Sequence, residues 1–171
     1  FKILIKASFS NIYSNFKQMK GIVLEHKKIK LQDDLKIPTP KKGEVLIQVK
    51  YASINSYDAE TIEGENALLK KMAGEKTYPV MTGIEFSGIV ASDGKRFKKG
   101  DKVFGYPDLA KGQKSHQQYL TIQEDYIAPM PANIDFAESA GLPLGALTTL
   151  IGLEDIGKIR KGSKVLINGA A

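Results

Sequence analysis

The stretch Glu44–Lys50 places Val45, Ile47 and Val49 on one face, the two-residue period of a strand with one side in a core. Pro38-Thr39-Pro40 and Gly43 precede it, so no helix can run into it and the chain enters through a rigid turn. The same punctuation recurs from Met19 to about Ile127. Met19 opens a strand, KGIVLEH; Glu85–Ser92, Asp101–Tyr106 and Gln117–Gln123 read as further strands, with Asp93-Gly94 as a turn. Tyr57–Glu63 and Glu65–Ala73 read as short helices ended by Gly64 and Gly74. Short strands separated by glycine turns predict a mainly β domain with short helices, a partly open barrel rather than a parallel sheet.

Composition removes several chemistries. The 171 residues include no cysteine, which excludes disulfides, thiolate zinc sites, iron–sulfur clusters and cysteine nucleophiles. With only His26 and His116, a histidine metal cage is not expected. The net charge of +6 raises the question of nucleic acid, but its distribution answers against it. Lys2, Lys6 and Lys17 sit in an acid-free opening segment, and the remainder carries 22 basic against 19 acidic residues. Arginine, the preferred reader of base edges and phosphates, occurs only at 96 and 160. The lysine clusters at 27–30, 41–42 and 98–99 therefore read as a solubilising surface.

Two segments differ from the strand-rich middle. Residues 1–18 are basic, rich in Ser and Asn, and acid-free, a composition that also suits a targeting peptide; we expect an upstream extension. After Pro131, Asp135 with Glu138 three residues on predicts a capping box at a helix start. Ala137, Ala140, Gly141, Leu144, Thr148 and Ile151 follow at helical spacing, and Pro143 predicts a bend between two helical pieces. Lys164–Asn168 reads as an apolar strand running into a small-residue turn, Gly169-Ala170-Ala171, and we expect the fold to continue past it.

Five landmarks stand in sequence: MKGIVLE; PTPKKGEVLIQVKYASINSYDAE; YPVMTGIEFSGIV; RFKKGDKVFGY; and AESAGLPLGALTTLIGLEDIGKIRKGSKVLINGAA. In this order and spacing, Met19–Ala171 resembles the N-terminal part of a medium-chain dehydrogenase/reductase. More narrowly, it resembles the zinc-free quinone oxidoreductase (zeta-crystallin-like) branch. The resemblance implies a GroES-like catalytic domain over 19–145. It makes 146–171 a connecting helix and the first strand of a truncated Rossmann domain, with Gly169 and Ala170 opening its phosphate-binding turn. Zinc-dependent relatives carry Cys and His where this chain has Asn55 and Ile84, and neither an amide nor an alkyl group replaces thiolate or imidazole at zinc. No zinc is expected. An electron-poor enone or quinone needs none, because its own conjugation takes up the negative charge.

The implied activity is NAD(P)H-dependent reduction of quinones or α,β-unsaturated carbonyls by a cytoplasmic homodimer, with this chain too short to act alone. An acryloyl or enoyl thioester reductase and a non-catalytic GroES-like module are the alternatives. Asn55 matches the family residue at the nicotinamide and substrate end of the cleft, where its amide would donate to a developing oxyanion; otherwise it is a turn residue ending the strand. Tyr57 would give a proton or hydrogen bond to the acceptor, and Asp58 would cap the following helix. Many quinone reductases carry a tyrosine where this chain has Glu60. Thr148 would either face the nicotinamide or bond back to its own helix. Leu142, Pro143 and Leu144 read as packing, Glu85 as a solvated strand residue rather than the site-facing glutamate of the family, and His116 as a surface histidine rather than part of the family's substrate-entrance loop.

Overall fold

The computed structural model describes residues 4–6, 18–25, 28–63 and 80–169. The strands are β1 (Leu4–Lys6), β2 (Gln18–Glu25), β3 (Lys28–Lys36), β4 (Glu44–Ser53), β5 (Val80–Met81), β6 (Phe86–Val90), β7 (Lys102–Gly105), β8 (Tyr119–Gln123) and β9 (Ile127–Pro129). The helices are α1 (Ser56–Glu63), α2 (Phe136–Ala140) and α3 (Pro143–Leu150), the last continuing as a wider π-type turn over Ile151–Ile156. The predicted helix Glu65–Ala73, His26 and Ala170 lie outside the described residues.

β4 organises the molecule. One edge pairs antiparallel with β6; the other pairs with β8 over Glu44–Gln48 and with β1 over Tyr51–Ser53. β7 and β9 extend the sheet beyond β6, giving a curled half-barrel, and β3-β2-β5 form a separate three-stranded sheet. The predicted inward face holds: Val45, Ile47 and Val49 are buried with Phe86, Val90, Val103, Leu120 and Ile122 in one apolar cluster. Burying one such side chain contributes about 1.5–3 kcal/mol, so this cluster dominates the fold's stability. α2 lies on β4 and β6, and the Ser87 hydroxyl donates to Phe136 O. Its predicted capping box is present: Asp135 accepts from Glu138 N at 2.8 Å, and Glu138 accepts from Asp135 N at 3.0 Å.

Two expectations need correcting. Leu4–Lys6, assigned to an extension, belongs to the main sheet: β8 covers only the first half of that β4 edge, and β1 takes the open backbone groups of Tyr51–Ser53. Lys164–Asn168 is not a strand. It pairs with nothing among the described residues, and Leu166 is 93% exposed. Apolar composition makes a segment competent for a strand, but the ladder itself requires a neighbour.

Candidate functional site

Three loops meet where β4 ends. Asn55 precedes α1 and caps it: its Oδ1 accepts from Tyr57 N at 3.0 Å, while the Asp58 carboxylate accepts from Asn55 N at 3.1 Å. The N-cap oxygen thus takes the amide of the second helical residue, and the aspartate at the third takes the amide of the cap itself. Asp58 therefore caps, as expected, and its other oxygen accepts from Gly83 N at 3.0 Å, tying α1 to the loop before β6. Gly83 has φ +92°, and a Cβ there would stand 2.5 Å from His116 Cδ2, so the two loops meet at a distance only glycine permits.

Glu85 is the centre of the arrangement and is only 4% exposed, not solvated as the sequence suggested. Alternation along one strand cannot detect the helix that covers the other face. Its Oε1 accepts from the Ser53 hydroxyl and from Asn55 Nδ2 at 3.4 Å, and its Oε2 accepts from Leu144 N at 2.9 Å. Leu144 lies in the first turn of α3, where free backbone amides favour an anion. Leu142 and Leu144 are half-buried and Pro143 is buried, consistent with packing; Leu144 also contributes this backbone donor.

His116 is buried as well, which corrects its reading as a surface residue. Its Nε2 lies 2.8 Å from Ser53 O, which can only accept, so Nε2 carries a proton; Nδ1 lies 2.8 Å from Thr82 Oγ1. Its partners are 34 and 63 positions away in sequence. A search for a nearby acid could not have found them.

Tyr57 is half-buried, and its phenol is pushed up to about 12, chiefly by burial and then by Tyr106, Asp58 and Glu60. Lys114 Nζ stands 5.4 Å from the centre of its ring. Tyr106, absent from the sequence candidates, is raised as well, by burial and then by Glu85 and Asp58. The available signal was its position at the end of β7, directly before Pro107, where a strand opens into a loop. Thr148 is exposed on α3 and donates its hydroxyl to Leu144 O at 2.7 Å, leaving its oxygen able to accept. Asn55 and Thr148 are thus linked through Glu85 and Leu144. Gly169 adopts φ +73°, with no atom near where a side chain would project.

Among the described residues no three His, Asp or Glu side chains cluster as metal ligands. Ile84 is 1% exposed and offers a metal no donor atom. The model of the alcohol dehydrogenase GroES-like domain matches residues 41–132. The chain belongs to this family. It is therefore a member of the medium-chain dehydrogenase/reductase superfamily. Curated relatives include oxidoreductases. A quinone oxidoreductase from Sus scrofa is 30% identical over 146 residues, covering 84% of this chain and 42% of that protein. An NADPH-dependent alkenal/one oxidoreductase, chloroplastic, from Arabidopsis thaliana is 33% identical over 150 residues, covering 83% and 38%. The chain thus spans about two-fifths of the length of these relatives. A solved quinone oxidoreductase from Coxiella burnetii is 30% identical with a TM-score of 0.73, covering 82% of this chain and 46% of that one.

Proposed function

We propose that this chain carries the substrate-facing part of a zinc-independent, nicotinamide-dependent reductase of quinones or α,β-unsaturated carbonyls. The observation that carries the reading is the Asn55 amide. Its oxygen is fixed by Tyr57 N and one amide hydrogen by Glu85, which leaves the second N–H as an oriented donor. A fixed donor aimed at an oxygen that gains charge is worth more than a mobile one, because it needs no reorganisation as the charge arrives. Tyr57, with its phenol held protonated, supplies the second hydrogen bond or the proton.

The donor set fits one end of a nicotinamide cofactor. Asn55 can give its one remaining N–H either to it or to the substrate oxygen, the Thr148 oxygen can accept from its carboxamide, and Gly169 with Ala170 would form the bend beside its phosphates. When bound, NADPH or NADH supplies the hydride. The domain assignments follow the same reading: a GroES-like domain over 19–145, to whose main sheet β1 adds a strand, with 146–171 leading into a nucleotide-binding domain, in a cytoplasmic homodimer. Zinc independence is supported by donor chemistry, since Asn55 and Ile84 occupy the positions where zinc-dependent relatives place Cys and His. The alkenal/one reductase among the relatives favours an enone at least as much as a quinone.

The test is NADPH oxidation by the longest chain the gene encodes, with a simple quinone and a simple enone, each with and without chelator. Turnover that survives chelation and drops with Asn55→Ala supports the reading. Turnover abolished by chelation, or unaffected by N55A, refutes it.

A further inference from the structure

Ala52, Phe86 and Gly105 lie side by side on β4, β6 and β7. One position on, the row is Ser53, Glu85 and Tyr106, and the Ser53 hydroxyl bonds the Glu85 carboxylate from the β4 side. Tyr106 N donates to Tyr126 O at 3.2 Å, which carries the pairing of β7 with β9 on to Tyr106 and holds it in that row. Pro107, fully buried, fixes the backbone that follows. Opposed residues of neighbouring strands share a face, so Tyr106 flanks Glu85 on the β7 side as Ser53 and Asn55 flank it on the β4 side. This is the face of Ser87, whose hydroxyl donates to Phe136 O, and so the face that α2 and α3 adjoin. Tyr106 is half-buried, and among the described residues its hydroxyl makes no hydrogen bond.

We infer that Tyr106 is a specificity-determining residue of the Asn55 site, its hydroxyl holding a second oxygen of the acceptor and so favouring a quinone over a simple enone. The inference rests on the reading of this site as the substrate end of a reductase. On that reading Asn55 and Tyr57 serve the oxygen that gains charge. Tyr106 enters from the other flank. Neighbouring strands stand about 4.8 Å apart, so β4 and β7, with β6 between them, set the two flanks roughly 10 Å apart at the backbone. A flat ring lodged between donors on opposite flanks uses both only if it carries an oxygen at each end. A quinone does. A simple enone has one oxygen and leaves one donor idle. Burial, and then Glu85 and Asp58, push the Tyr106 phenol up, so it keeps its proton and stays a donor at neutral pH.

The experiment compares naphthoquinone with cyclohexenone on the longest chain the gene encodes, as wild type and as Tyr106→Phe. Binding is read without NADPH, from the ring signals of isotope-labelled tyrosine in NMR titrations, and turnover is read separately as NADPH oxidation. The quinone should move the Tyr106 ring signals, and Y106F should bind it about three- to tenfold more weakly, with KM affected more than kcat. The enone should bind to and react with both proteins alike. Tyr119→Phe, whose hydroxyl accepts from Gln48 Nε2 elsewhere on the sheet, should behave like wild type. Quinone binding that weakens in Y106F without any NADPH oxidation supports the two-oxygen site and removes the redox reading. Turnover of both acceptors with an unchanged quinone-to-enone ratio in Y106F keeps the redox reading and overturns this inference. Equal weakening of both probes also overturns it, since Tyr106 would then act only as a structural neighbour of Glu85, and so does the absence of quinone binding.

Discussion

Replacing Glu85 separates its charge from its hydrogen-bonding shape. In Glu85→Gln one carboxylate oxygen becomes a donor, so one of the three contacts must face donor to donor. The hydroxyl of Ser53 can reverse and accept, whereas Leu144 N and Asn55 Nδ2 cannot. The cheapest arrangement keeps the carbonyl on Leu144 N, gives the new amide to Ser53, and releases Asn55. Charge-assisted bonds of about 1.5–3 kcal/mol become neutral bonds of about 0.5–1.5 kcal/mol, while the cost of burying a charge disappears. The net loss is about 1–2 kcal/mol. Glu85→Ala instead leaves Leu144 N–H and Asn55 without their acceptor and opens a cavity, a loss of about 3 kcal/mol or more. Urea unfolding measures both, and hydrogen exchange of the Leu144 amide reports the contact directly. That amide should stay protected in E85Q and exchange faster in E85A. Equal stability of the two variants, or unchanged Leu144 exchange in E85A, would refute the account of Glu85 as the shared acceptor.

Tyr57→Phe should keep the ring beneath Lys114 and lower turnover by about 10²-fold, the usual lower range for a positioned acid; unchanged turnover assigns the proton to water. Because the Tyr57 phenol is pushed up to about 12, it keeps its proton throughout the neutral range, and wild-type rate should show no loss from this group below the ordinary tyrosine range. Gly83→Ala should cost about 3 kcal/mol or more, combining left-handed strain with a Cβ 2.6 Å from His116 N; Gly100→Ala, with φ +100° and open space, should show only the strain of about 1–2 kcal/mol. Equal losses in thermal melts would show that the packing against His116 is not limiting. Glu124 is buried, which alone raises its pKa, but bonds from the amides of Phe97, Arg96 and Lys95 outweigh this and hold it below the ordinary glutamate range. Its stabilisation is therefore full above the unfolded value and is lost as pH falls through the folded one, so the urea midpoint should drop in acid with a shallower slope in Glu124→Gln.

The fold was legible because its signals are local. The face shared by Val45, Ile47 and Val49, the Asp135–Glu138 box and the break at Pro143 each lie within a few residues, and each stands as read. The Asp58 cap of α1 was legible too. What could not be read were partners. Glu85 meets Leu144 across 59 positions, and His116 meets Ser53 across 63. A lone strand pattern makes Glu85 solvated, and a lone loop pattern makes His116 superficial. The misread strand at Lys164–Asn168 has the same cause: composition reports what a segment can do, and pairing reports what it does.

Why a carboxylate occupies position 85, beside an Ile84 that offers a metal nothing, follows from counting donors. A hydroxyl, an amide N–H and a backbone N–H converge there from β4, the α1 cap and the α3 start. The ion pairs of the described residues do not include Glu85, so no cation offsets its burial. Only hydrogen bonds do. A serine or threonine has too short a reach for three donors, a glutamine has one acceptor oxygen, and an apolar residue would leave all three unsatisfied. A buried glutamate is the side chain that satisfies them while placing its charge at the start of α3. The residue is thus explained by geometry alone: it fixes the Asn55 amide relative to the helix that carries Thr148, whatever the substrate. Mutating Ser53 or Leu144's neighbours should then disturb Asn55 only to the extent that Glu85 moves, which couples Ser53→Ala and Asn55→Ala by about 0.5 kcal/mol or more in a double-mutant cycle. Strict additivity of the two would mean that Glu85 does not transmit between them.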